Sequence, residues 1–276
     1  MIPDLPALLD TARAAVHDAH RLLHTLTPDQ ITAKGDRDLV TNADLAVERH
    51  TRAQLAGRTP HIGFLGEEEG GTTTGTHWVL GPVDGTANYA PGLPLCGISL
   101  ALIHDHTPVL GVISLPLLKR TYWGAPGICA WRDGTPIRAS AVRTLDQAMI
   151  AIGDYGTLDA SLTLGNRSWD MAAGAALARA AGALVTDTDG TPHTSRSTAT
   201  IAAAMLAPAS PHSSPIWKPR ASPSTSCTRA VAAPRCTSRS DSSRPIPHAD
   251  DPLPPRRTSA QPAAQWEPLP PGSASG

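Results

Sequence analysis

Four carboxylates in this chain each follow an apolar segment or open a helix: Asp44, Glu67, Asp84 and Asp170. Such boundaries are where a folded domain exposes functional groups. Glu67 heads the run Glu67-Glu68-Glu69, just after the apolar stretch from His61 to Leu65. Asp84 closes Trp78-Val79-Leu80-Gly81-Pro82-Val83-Asp84 and is followed by Gly85 and a hydroxyl residue, Thr86. Carboxylates with no histidine or cysteine among them point to a hard, oxygen-liganded cation such as Mg²⁺. The Thr86 hydroxyl can orient a cation-bound water. The amides of Gly85 and Thr86 can hold a phosphate if a helix starts there. These are the parts that metal-assisted phosphomonoester hydrolysis needs.

Regular elements must position these groups. Residues 5–26 carry apolar side chains at Leu5, Leu8, Leu9, Ala12, Ala15, Val16, Ala19, Leu22, Leu23 and Leu26. That spacing predicts a packing helix, ended by Pro28. The stretch from Lys34 to Asp44 reads as a polar loop entering a second helix, capped by Thr41 or Asn42. Asp44 in its first turn either complements the helix dipole or aims into a site. The Trp78 strand is expected to stop at Gly81-Pro82. Segments 95–103, 109–115, 121–123 and 128–131 are joined by connections of hairpin length, which predicts an antiparallel sheet. His104 and His106 lie in one of these turns and read as solvated residues rather than metal ligands. A strand at 148–153 precedes a helix from about Asn166 to Ala181, with Ser168 as cap, Asp170 in the first turn and Gly182 at its end. A short strand at 183–185 follows.

Composition bounds the function. The chain has 276 residues and a formal net charge of −1, so no global charge draws it to nucleic acid or an anionic membrane. No run approaches the roughly 18 apolar residues of a membrane span, and the N-terminus lacks the basic start of a signal peptide. Cys96, Cys129, Cys227 and Cys236 show no CxxC spacing, so reduced thiols in a cytoplasmic protein are expected, without a zinc site or disulfide framework. Residues 207–276 hold 15 of the 27 prolines and little apolar periodicity. They are expected to be a disordered tail. Its arginines are scattered, which argues against an RNA-binding segment.

Read in order, Asp38-Leu39-Val40-Thr41 with Asp44, Gly66-Glu67-Glu68, Trp78 to Tyr89, and Trp169-Asp170-Met171-Ala172-Ala173-Gly174 resemble the inositol monophosphatase family of Mg²⁺-dependent, lithium-sensitive phosphatases. The resemblance covers about residues 1–200. It implies an α/β fold of the α+β layered-sandwich type. N-terminal helices would pack on an antiparallel sheet in residues 1–140, a truncated second α/β half would span 141–206, and the tail would follow. It also implies that Glu67 and the Val83 carbonyl ligate one Mg²⁺ and that Asp84 and Asp170 ligate a second. Thr86 and Glu68 would activate the attacking water, with Asp44 supporting the water network. Gly85 and Thr86 would hold the phosphate, and Asp170 would contact the substrate. A small phosphorylated substrate is the implied partner, and family members are often homodimers.

The chain departs from the family in four places. Gly81 stands where the family has an aspartate that bridges both cations. The stretch Ile152 to Ala160 reads as two pieces joined across a gap, which removes a helix and part of the second sheet. The family's likeness fades near residue 200. Thr163, seven positions before Asp170, replaces the acidic residue by which inositol-specific members contact a sugar hydroxyl. The expected activity is therefore hydrolysis of a sugar or polyol phosphate such as inositol 1-phosphate. The alternatives are histidinol phosphate or another small phosphomonoester, and a catalytically impaired relative. Loss of covering elements also predicts a marginally stable second half.

Overall fold

The computed structural model describes residues 4–27, 32–35, 38–142, 148–152, 160–165 and 167–203. The tail expected beyond residue 206, and the stretch around the expected gap, lie outside the described residues.

Helix α1 (Leu5–Thr25) is opened by Asp4, whose carboxylate accepts from the Ala7 amide. Leu9, Ala12, Ala15, Val16, Ala19 and Leu23 form its buried stripe, the face that its periodicity dictates. The stretch expected as a polar loop instead contains a short antiparallel hairpin, β1 (Thr32–Gly35) with β2 (Asp38–Val40). Helix α2 (Asn42–Arg58) follows, capped by Thr41. Its buried stripe is unusual: Ala43, Val47, Thr51 and Leu55 share it with two carboxylates, Asp44 and Glu48.

The main sheet has eight strands in the order β10-β9-β8-β7-β6-β5-β3-β4. They are β3 (Gly63–Gly66), β4 (Gly70–Gly71), β5 (His77–Asp84), β6 (Gly97–His104), β7 (Thr107–Leu115), β8 (Arg120–Ala125), β9 (Cys129–Arg132) and β10 (Thr135–Ile137). The expected antiparallel sheet is corrected in one respect. Strands β3 and β5 pair in parallel, while the other neighbours are antiparallel. A parallel pair needs a crossover, and the chain makes it through β4 and residues 72–76.

Period-two alternation sends this sheet's side chains into two cores. Trp78, Leu80, Ile98, Leu100, Leu102, Leu110 and Val112 pack under α1 and α2. Val79, Ala101 and Ile103 face the other way, against Ala172 and Ala173 of α4 (Ser168–Ala180). The far side of α4 meets a four-stranded sheet, β11 (Ile150–Ile152), β12 (Ala160–Leu164), β14 (Ala199–Ala203) and β13 (Leu184–Thr186). The layers thus run helix, sheet, helix, sheet, the α+β sandwich expected. Strands β12 and β14 were not anticipated. Gly182, at φ +92°, closes α4, whereas its N-cap is Arg167 rather than Ser168.

Among the described residues no helix is long and apolar enough to cross a membrane. Cys96 is a buried free thiol.

Candidate active site

Because β3 and β5 run parallel, their C-terminal ends reach the same edge. The Glu67 amide donates to the Leu80 carbonyl at 3.2 Å, so the acidic loop begins beside the Gly81-Pro82 step. Strand β5 does not stop there, as expected from the sequence, but continues to Asp84. Gly81 pairs with Ser99 and Asp84 with Gly97, so β5 carries one residue more than β6 across this step. Proline cannot donate to the ladder, and a bulge of this kind re-aims the residues after it. Asp84 emerges exposed at the end.

The next turn depends on a glycine. Gly85 has φ +78°, and a Cβ on it would come within 2.7 Å of the Leu95 carbonyl. A single helical turn, α3 (Thr86–Tyr89), starts immediately after it. Buried Tyr89 points its hydroxyl at the Leu23 and Leu26 carbonyls, 3.4 Å from each, which ties this turn to the end of α1.

Asp44 and Thr86 meet here. Asp44 is only 1% exposed. Its Oδ2 accepts from the Thr41 amide at 2.8 Å and from the Thr41 hydroxyl at 2.6 Å. Its Oδ1 faces the Thr86 hydroxyl at 3.1 Å, and that hydroxyl lies 2.9 Å from the Val83 carbonyl. Burial pushes the Asp44 carboxyl above its ordinary range, against the lowering effect of these hydrogen bonds. Asp44 is therefore more than a complement to the helix dipole: it joins the α2 cap to the turn after β5.

Glu48, which sequence reasoning missed, lies one turn further along α2 and is completely buried. Its carboxylate accepts from the backbone amides of Glu68 at 2.8 Å and Glu69 at 3.0 Å. The available signal was its place four residues after Asp44, on a stripe otherwise apolar or hydroxylic.

Asp170 opens α4, where its Oδ2 accepts from the Arg167 amide at 2.8 Å. The neighbouring Trp169 carbonyl approaches Gly81: a Cβ added at Gly81 would sit 3.3 Å from that oxygen and 3.7 Å from the Ser99 Cβ. Position 81 thus faces the start of α4, between the acidic loop and Asp170, and presents no side chain. Cys96 lies near Asp84; burial first, and that carboxylate second, raise its thiol above the usual range. Thr163 lies elsewhere, on β12, with its hydroxyl 3.8 Å from the Met171 sulfur.

Oxygen donors are the right chemistry for Mg²⁺, but the set is short. Among the described residues, no three carboxylates, histidines or cysteines stand close enough together to hold a metal ion. Position 81 carries no donor, and one Asp170 oxygen caps its own helix. The described side chains therefore do not fit a preassembled centre for two cations.

The fold is that of layered α+β proteins of known structure. The family model described as "Inositol monophosphatase family" matches residues 5–156 and 144–216. A probable inositol 1-monophosphatase from Mycobacterium tuberculosis is 31% identical over 246 residues, covering 73% of this chain and 88% of the relative. A histidinol-phosphatase from the same organism is 44% identical over 100 residues, 36% of this chain and 38% of the relative. Among solved structures, the extragenic suppressor protein suhB from Bartonella henselae superposes with a TM-score of 0.65 at 26% identity, covering 71% of this chain and 93% of that one. The chain belongs to the inositol monophosphatase family, and with it to the phosphoric monoester hydrolases.

Proposed function

We propose that this chain binds a small phosphomonoester at the edge formed by β3 and β5 and hydrolyses it slowly. The observation that supports this most directly is buried Asp44 meeting Thr86 beside the Val83 carbonyl. A buried carboxylate holding a hydroxyl at a strand end can orient a water for attack. In this reading the Gly85 and Thr86 amides hold the phosphate, at a turn whose first helical bonds are donated later, by Asn88 and Tyr89. Thr86 and Glu68 position the attacking water, and Glu68 takes its proton. The water oxygen bonds to phosphorus, the ester P–O bond breaks, and the alcohol leaves with a proton from solvent. Glu67, the Val83 carbonyl, Asp84 and Asp170 are the donors the family uses for Mg²⁺.

Gly81 favours a second reading, that of a catalytically impaired relative. Loss of a partner that only supports a metal ligand costs about 10–100-fold in affinity or activity, and a missing bridging ligand costs more. The substrate class is a sugar or polyol phosphate such as inositol 1-phosphate, or histidinol phosphate, by analogy with the relatives' names. A cytoplasmic setting and a homodimer go with this reading, and nucleic acid and membrane do not.

Phosphate release from inositol 1-phosphate, histidinol phosphate and fructose bisphosphate, with and without Mg²⁺, tests the proposal. The expected result is weak, Thr86-dependent turnover that rises at least about 100-fold in Gly81→Asp. The added side chain needs the Trp169 carbonyl to yield by only a few tenths of an ångström. Silence in both proteins would reject hydrolysis and leave the impaired relative. Robust turnover by the unmodified chain would show that Gly81 does not limit it.

A further inference from the structure

Helix α2 presents two buried carboxylates one turn apart. Asp44 reaches the turn after β5 through Thr86. Glu48 reaches the loop after β3. Its Oε2 accepts the Glu68 amide and its Oε1 the Glu69 amide, so both oxygens are turned toward the loop backbone. Arg52, the next residue on this face, donates through one nitrogen to Glu48 Oε1 at 2.7 Å and to the Gly70 carbonyl at 2.8 Å. Its guanidinium lies over the Phe64 ring at 4.4 Å, and Arg49 binds the Glu69 carboxylate at 2.6 Å. Gly66 leaves the space for this arrangement: a Cβ there would overlap the Glu48 carboxylate.

An ion pair between buried Glu48 and half-buried Arg52 would by itself be weak grounds for a role, since such pairs often contribute little net stability. The geometry goes further than a pair. Two successive amides of the acidic loop converge on one carboxylate, which fixes the backbone of the residues that carry the Glu67 and Glu68 side chains. We propose that Glu48 is the positioning residue of the acidic loop, and that one face of α2, through Asp44 and Glu48, sets the register of the two loops that form the site. This rests on the phosphatase reading above for its functional consequence, but not for its structural part.

Two variants test it. Glu48→Gln keeps the shape of the side chain but sets an NH₂ against one of the two amides. Gly66→Ala displaces the carboxylate from the opposite side and leaves Glu48 in place. Residue-resolved amide exchange is expected to speed up at least tenfold at Glu68 and Glu69 in both, while Leu100 and Leu102 of β6 stay protected. In the Gly81→Asp background, adding Glu48→Gln is expected to weaken Mg²⁺ binding, measured by calorimetry, by about 10–100-fold. A purely stabilising role predicts instead that loop and β6 exchange rise together, with Mg²⁺ affinity unchanged. Unchanged loop protection in both variants would overturn the proposal, as would equal Mg²⁺ affinity with and without Glu48→Gln. If Gly81→Asp binds no Mg²⁺ at all, the phosphatase reading fails, and the exchange measurement still decides the role of Glu48.

Discussion

Thr86 has one hydroxyl proton and two acceptors in reach, Asp44 Oδ1 and the Val83 carbonyl. That proton cannot satisfy both fully, and burial holds the Asp44 carboxyl above its ordinary range despite the contacts from Thr41 and Thr86. A carboxyl whose folded pKa lies above its unfolded value loses stabilisation as pH rises through the folded pKa. Asp44→Asn removes that titration. The expected outcome is a melting temperature at pH 7 that is unchanged or higher, and a variant-minus-parent difference that grows with pH. In the Gly81→Asp background, the same change is expected to lower phosphate release by about 100-fold or more. Thr86→Ala is expected to match it, and Thr86→Ser to retain most of the rate, since the hydroxyl is what carries the contact. His20 shows the opposite sign of linkage. Its Nδ1 meets the Ser114 hydroxyl at 2.9 Å, and burial first, then His24 and His17, lower its pKa to about 4. The unfolded chain therefore binds a proton near pH 6.5 that the folded one refuses. Stability is expected to fall as pH drops from about 6.5 toward 4. His20→Asn should flatten that slope in thermal melts recorded across this range.

At the scale of elements, α4 is the piece that joins the two sheets, and its approach is close. A Cβ at Gly111 on β7 would lie 2.7 Å from the Ala173 Cα, so only glycine lets the helix backbone lie on the strand. Gly111→Ala is expected to destabilise the protein by about 1–3 kcal/mol, read as a lower urea midpoint with an unchanged slope. Asp170 and Trp169 sit at the start of this helix, so displacement of α4 also moves the groups that face Gly81. The helices and most strands of the main sheet were legible in the chain because their periodicities are long and the turns between them carry Gly, Pro or Asp. The β1–β2 hairpin was not legible, since its strands are only four and three residues long, too short to show a period of two. Strand β5 was read as ending at Pro82 because proline does end regular ladders; a bulge absorbs it here.

For the whole molecule, the second sheet is expected to be the weak layer. Leu164 and Leu184 are 67% and 51% exposed there, an apolar display that the main sheet avoids by burying both faces. Amides of β12 to β14 are expected to exchange faster than those of β6 and β7, because less apolar surface is buried over them. A single cooperative step in exchange across both sheets would contradict this. The amino-acid sequence by itself determined the family and the layered α+β class, because the motifs that carry them rest on local residue order. It also marked Gly81, whose consequence depends on which type of side chain is missing. Only the tertiary structure decided that β3 and β5 run parallel and so deliver the acidic loop and Asp84 to one edge. It alone turned Glu48 from one more helical glutamate into a buried acceptor for that loop. Strand direction and burial arise from contacts between segments distant in the chain, which no local pattern of residues encodes.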